Sequence, residues 1–113
     1  MVDLQSLMHA VHSWQIKTFN SQTPISKAIH LRKEVDELVA ELQDSVVYSP
    51  NNTLLRREIA DCFMLLIGIC TVSEFNETDI IEAVYEKLEI NKHRKWGNPD
   101  KHGVVQHIRE EDK

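Results

Sequence analysis

The sequence predicts an all-α fold, a helical bundle of four main helices. Apolar residues recur at three- and four-residue spacing in four successive segments. Prolines are few and well separated, and only three residues are Gly, which leaves long stretches free to be helical. No stretch alternates convincingly as a strand does, and no internal repeat is present.

The first segment runs from about Leu4 to Phe19. Leu4, Leu7, Met8 and Val11 form its stripe, continued by Trp14 or Gln15, and Asp3 is placed to cap it. The second starts at Thr23-Pro24, a cap followed by Pro at the first helical position. Its stripe is Ile25, Ala28, Ile29, Val35, Leu38, Val39 and Leu42. Ser49-Pro50-Asn51-Asn52 reads as a loop, and Thr53 as the cap of a third helix, Leu54 to about Val72. The run from Cys62 to Cys70 is apolar on all sides, as in a central helix covered by a partner subunit. Asn76 or Thr78 opens a fourth helix, Asp79 to about Lys95, with Ile80, Ile81, Val84 and Leu88 inward. Gly97 and Pro99 stop it.

The 113 residues suit a single domain, 1–113, with 98–113 as a polar C-terminal tail around Val104-Val105. A core this small is expected to be completed by a homo-oligomer, a dimer or tetramer. Thirteen basic against 18 acidic residues give a formal charge of −5, which argues against a nucleic-acid partner. The longest apolar run, 62–72, falls far short of the roughly 20 residues of a membrane span, so no membrane partner is expected. Cys62 and Cys70 are about 12 Å apart on one helix, too far for a disulfide. With no leader-like N-terminus, these thiols suggest a cytoplasmic protein.

Glu34, Glu37 and Glu41 fall within about 60° of one another on the second helix. Alone, such a strip reads as a solvated acidic face. The third helix adds Glu58 and Asp61, a Glu-x-x-Asp at the entry to the most apolar run of the chain. A carboxylate buried there needs a cation. Arg56 and Arg57 are nearest in sequence but point to other faces. Two i,i+3 acid pairs on adjacent antiparallel helices would meet in one small volume. Their hard oxygens suit Mg²⁺, with Mn²⁺ as a substitute. No Glu has His three residues later, which disfavours a ferritin-like di-iron site. Lys87, Asn91 and Arg94 share one face of the fourth helix and would grip phosphate oxygens, unless they simply complement the helix dipole.

Glu34-Val35-Asp36-Glu37, twenty intervening residues, then Glu58-Ile59-Ala60-Asp61 resembles the Glu-x-x-Glu…Glu-x-x-Asp signature of the MazG-like all-α nucleotide pyrophosphohydrolases. Lys87…Asn91…Arg94-Lys95-Trp96 resembles their phosphate-binding helix, and the likeness runs from about Ile25 to Trp96. The Trp-containing N-terminal helix and the tail Gly103 to Ile108 are similar to the phage-type dATP/dGTP diphosphohydrolase branch (MazZ). The resemblance implies Mg²⁺-dependent hydrolysis of a nucleoside triphosphate to the monophosphate and pyrophosphate, with dATP and dGTP as substrates. Glu34, Glu37, Glu58 and Asp61 would be the catalytic metal ligands, and Lys87, Asn91 and Arg94 the phosphate-binding group. Glu37 or Glu41 is an alternative general base.

For the base, Trp14, Phe19 and Asn20 lie together near the end of the first helix, where a ring stacks and an amide reads an edge. Core packing is the competing role for Trp14. His9, His12 and His30 read as surface residues. Two other functions stay open: the same chemistry on pyrimidine or damaged nucleotides, and a non-catalytic helical interaction protein.

Overall fold

The computed structural model describes residues 3–109; residues 1–2 and 110–113, the last four of the segment read as a tail, lie outside the described residues. It contains α1 (Leu4–Thr18), α2 (Pro24–Asp44), α3 (Thr53–Val72) and α4 (Glu77–Lys92), and no strand among the described residues. The chain divides into two compact units, Met1–Thr78 and Asp79–Lys113.

In the first unit α2 packs along α3, and α1 packs on α3 more lightly. Each helix starts on a cap that the sequence encodes. Asp3 accepts from the Ser6 amide at 2.8 Å. Thr23 and Ser26 form a reciprocal capping box, with Pro24 at the first helical position. For α3 the cap is Asn52 and not Thr53. Its Oδ1 accepts from the Leu55 amide at 3.1 Å, while its Nδ2 donates to Val47 O at 2.9 Å and to Ser45 Oγ at 3.1 Å. Asn wins because its amide satisfies the helix start and the loop at once; a threonine hydroxyl cannot reach both. At the other end of α3, Phe75 N donates to Cys70 O and Glu74 N to Thr71 O, with Glu74 in the left-handed region (φ 63°). This is a Schellman ending with Glu where Gly is usual.

The buried side chains are Met8, Val11 and Gln15 of α1, Leu55, Cys62, Leu65 and Ile67 of α3, and Lys27 of α2. Most of the apolar stripe read for α2 does not face the core, although its Ala28 and Leu38 are less exposed. Ile25, Ile29, Val35, Val39 and Leu42 are exposed. Besides Ser26 and Ala28, the less exposed positions form a line from Lys27 through Leu31, Glu34, Leu38 and Glu41 to Ser45 just past the helix, at alternating four- and three-residue steps. Both stripes have helical period, so periodicity alone could not choose between them. α3 likewise turns Leu55, Glu58, Cys62 and Leu65 inward and leaves Ile59, Phe63 and Leu66 exposed.

α4, which lies in the second unit from Asp79 onward, starts at Glu77 and ends at Lys92, earlier at both ends than the sequence suggests. The segment that follows is a hairpin-like turn. Ile108 N donates to Lys95 O at 2.7 Å, Gly97 N to Gln106 O at 2.8 Å and Asp100 N to Val104 O at 2.9 Å. Asp100 Oδ1 accepts from the amides of His102 and Val104, and Gly103 supplies a positive φ of 80°. An Asp at the first position and Gly at the fourth is a turn signature, which a reading of overall polarity overlooks. Trp96 closes the end of α4 by donating its indole N–H to Asn91 O at 3.0 Å.

Asn52→Ala removes three hydrogen bonds that tie the α2–α3 loop to the start of α3. It is expected to cost about 1–2 kcal/mol, read as a fall of roughly 5 °C or more in Tm. An unchanged Tm would show that the loop is held by other contacts.

Candidate active site

The face α2 turns toward α3 carries Leu31, Glu34, Leu38 and Glu41 in turn, and the face α3 returns carries Glu58 between Leu55 and Cys62. Glu34, Glu37 and Glu58 each bring one carboxylate oxygen within 4.8 Å of the others. One oxygen of Glu34 and one of Glu58 (Oε2 in each) are buried without a hydrogen-bond partner. Leaving two anionic oxygens in that state is costly unless a cation meets them. All the donors are hard oxygens, the chemistry Mg²⁺ and Mn²⁺ prefer.

The electrostatics record the crowding. A side-chain hydrogen bond with Glu37 holds the Glu34 carboxyl above the ordinary glutamate range, reinforced by burial and the charges of Glu37 and Asp61. His30 opposes this through a 3.2 Å contact from Nε2 to Glu34 Oε1. Burial raises Glu58 first, then the charges of Glu37, Asp61 and Glu41. Groups raised in this way make ionisation unfavourable in the folded state. The contribution these two make to the metal-free fold is therefore complete below the usual glutamate range and is lost as pH rises through their raised values. Burial also raises the Cys62 thiol, with Glu34, Asp61, Glu58 and Glu37 adding to it. In the metal-free protein both effects favour the neutral thiol. Glu41 is oriented separately: its Oε1 accepts from Ser45 Oγ at 2.9 Å, and Ser45 Oγ in turn accepts from Asn52.

Asp61 differs from expectation. It is exposed and stands outside the 4.8 Å trio, though its charge reaches Glu34 and Glu58. Among the described residues neither Arg56 nor Arg57 pairs with it. Asp61 and Glu34 instead share the wall of a cavity of about 380 Å³ with Trp14, Phe19, Lys27 and His30. Trp14 is 48% exposed and meets Phe19 edge-to-face at 5.3 Å, so it is not a core residue. Asn20 is not in this cavity. It lines a second one of about 250 Å³, and Phe19, Gln15, Gln22 and Lys27 border both. His9 is exposed and His12 half-buried, and both line a third cavity with Glu74 and Phe75.

Gln15, one of the two residues read as continuing the stripe of α1, is buried, and Lys27 is buried with it although the sequence did not single it out. A signal was present: Lys27 stands seven residues before Glu34 and fourteen before Glu41, on the same helical line.

In the second unit, Lys87 and Asn91 lie on α4, whereas Arg94 falls beyond its end. Arg94 still joins Asn91, through Nη1 to Oδ1 at 3.4 Å and N to O at 3.3 Å. Asn91 thus braces both Arg94 and Trp96, and Lys87 is exposed one turn earlier.

The fold resembles a solved structure, the cyanophage S-2L MazG-like pyrophosphohydrolase bound to dGDP and three catalytic Mn²⁺ ions per active site. The TM-score is 0.70 and the identity 23%, over 96% of this chain and 95% of that one. No curated protein matches the chain. The model of the dATP/dGTP pyrophosphohydrolase family matches residues 7–113, which takes in every residue of the carboxylate seam and the basic group. The chain belongs to the dATP/dGTP pyrophosphohydrolase family, and is a nucleotide pyrophosphohydrolase.

Proposed function

We propose that the protein hydrolyses purine deoxynucleoside triphosphates, dATP and dGTP, to the monophosphate and pyrophosphate with Mg²⁺, for which Mn²⁺ substitutes. The observation that carries this is the convergence of Glu34, Glu37 and Glu58, two of them with buried, unpartnered oxygens. The family match and the dGDP- and Mn²⁺-bound relative support the purine and the metal.

On this reading Glu34, Glu37 and Glu58 hold the metal, and Asp61 completes the set from the edge of the same cavity. Divalent ions held by these carboxylates would neutralise triphosphate charge and lower the pKa of an attacking water. The protein's part is positional. Crowded carboxylates keep the metal seat open, and Glu41, held by Ser45, or Glu37 accepts the proton the water gives up. The water oxygen ends on one product and the bond between the α- and β-phosphates breaks. Trp14 and Phe19 present ring faces to the base, with Asn20 as the edge reader nearby. Lys87, Asn91 and Arg94 are assigned to the phosphates by their charge and donors. Two free cysteines fit a cytoplasmic setting.

We further propose a homo-oligomer, dimer or tetramer, that covers the outward apolar faces. Val35, Val39 and Leu42 on α2, and Ile59, Leu66 and the 60%-exposed Phe63 on α3, are at helical spacing. A monomer rarely leaves so much apolar surface in water. Light scattering at micromolar concentration should give twice or four times the chain mass; a monomer would refute this.

Turnover of the four standard dNTPs should be fastest on dATP and dGTP, with faster cleavage of dCTP or dTTP counting against the purine reading.

Glu37→Gln and Asp61→Asn keep side-chain shape but remove charge from a cation site. Each should cut pyrophosphate release by more than about 100-fold, beyond what loss of an outer-shell partner costs. Mg²⁺ or Mn²⁺ should raise the Tm of the wild type by linkage, and much less in the variants. The metal-free variants should melt no lower than the wild type, since removing one of several like charges relieves repulsion. Near-wild-type release from either variant would exclude that carboxylate from the site.

A further inference from the structure

The first unit holds a buried cation that the hydrolytic reading leaves without work. Lys27 is 2% exposed, the largest fully buried side chain among the described residues. It makes no ion pair there. Its one hydrogen bond runs from Nζ to Gln15 Oε1 at 3.3 Å. An ammonium with three hydrogens and one neutral acceptor is left under-satisfied in a site that water scarcely reaches.

Gln15 cannot turn to serve it better. Its Nε2 donates to Met64 O at 3.2 Å, and Gly68 lies so close that a Cβ there would sit 2.6 Å from Oε1. The amide is therefore clamped between α1 and α3, and it fixes the ammonium in turn. Two donors of Lys27 remain, in the wall of the 380 Å³ cavity that also holds Trp14, Phe19, Glu34 and Asp61.

Lysine only donates, so the ligand edge it meets must only accept. The cavity pairs aromatic rings with the carboxylate site, which suits a nucleobase joined to a phosphate chain. Guanine offers two adjacent acceptors on one edge, N7 and O6. Adenine offers N7 beside a donating amine. The pyrimidines offer a carbon at the equivalent place. We propose that Lys27 is a specificity-determining residue that reads the N7 and O6 acceptors of a purine, favouring guanine over adenine, with Gln15 as its positioning residue. This rests on the nucleotide reading above.

A lysine that merely braced Gln15 would affect stability and not base choice, and the test exploits that difference. Binding of dGMP, dAMP, dCMP, dIMP and 7-deaza-dGMP to the wild-type protein is measured by calorimetry with Mn²⁺ present. The expected order places dGMP and dIMP tightest, dAMP next, and dCMP weakest. Loss of the N7 acceptor in 7-deaza-dGMP should weaken binding about tenfold or more, the value of a charged hydrogen bond. In Lys27→Met that penalty should vanish, with dGMP falling to the 7-deaza level, while the Mn²⁺-induced shift in Tm persists. If Lys27→Met does not fold, the wild-type comparison of dGMP with 7-deaza-dGMP still decides. Equal binding of those two by the wild type, or an undiminished penalty in Lys27→Met, overturns the assignment while dNTP cleavage continues. A wild type that cleaves no dNTP and binds no deoxynucleotide overturns the nucleotide reading itself, and Lys27's role with it.

Discussion

The seam between α2 and α3 carries charge where a helix pair ordinarily carries only apolar side chains. Leu31 and Leu38 alternate with Glu34 and Glu41 on one side, and Leu55, Cys62 and Leu65 flank Glu58 on the other. Carboxylates inside such a contact repel one another and lose hydration, which the raised Glu34 and Glu58 carboxyls register. Much of the remaining architecture follows from holding that seam together. The leucines supply its apolar contact. The loop after α2 is tied by Asn52 to Ser45 and through it to Glu41, so the helix start and an acid of the seam share one hydrogen-bond chain. Cys62, surrounded by acids, is a small side chain that stays neutral.

Filling the inward line of α2 with polar groups moves its apolar residues to the other side. Ile29, Val35, Val39 and Leu42 then face outward, as do Ile59, Phe63 and Leu66 of α3. A single chain built this way gives up core to make a site. The lost burial is regained if a second copy covers those faces, which couples stability to assembly. Site and assembly are then two results of one choice about which face of α2 points inward.

The helices were legible in the sequence because caps, Pro24 and three-to-four spacing are local properties. The sides they present were not. In α2 the stripe Ile25, Ala28, Ile29, Val35, Leu38, Val39 and Leu42 and the line Lys27-Leu31-Glu34-Leu38-Glu41 have the same period and share Leu38, and apolarity favoured the first, most of which faces outward. The carboxylate trio was legible because i,i+3 acid pairs on neighbouring helices have few ways to meet. Asp61 was read as buried from its apolar successors, yet one residue is 100° of helix, enough to turn it outward beside a buried Cys62. The turn around Asp100 to Gly103 was hidden by general polarity, although its Asp and Gly are in the turn positions. Gly97 as a stop signal predicts a fourth helix that includes Arg94, whereas α4 ends at Lys92. Lys27 was not legible because what buries it is non-local: its acceptor, Gln15 Oε1, comes from another helix and is itself held by Met64 O, a backbone atom far along the chain.

Lys27 and Glu34 give the seam a polarity along its length. Seven residues of α-helix separate them, about 10 Å of rise. A purine nucleotide has a comparable span, with acceptors at the base end and anionic oxygens at the phosphate end. The base end needs donors, and the phosphate end needs cations held by acids. One face of α2 offers these in sequence: an ammonium at 27, then carboxylates at 34, 37 and 41. The opposite order would present an anion to the base's acceptors and leave the ammonium competing for the metal's place. Trp14 and Phe19, from α1 and the residue after it, stand with Lys27 and Glu34 around the same cavity. On the proposed reading the helix therefore acts as a ruler. It sets the register between the edge that is read and the bond that is broken, and it does so through backbone rigidity rather than through a mobile loop. Gly68 belongs to this arrangement although it touches no substrate, because only a residue without a Cβ leaves room for the Gln15 amide that fixes the ammonium.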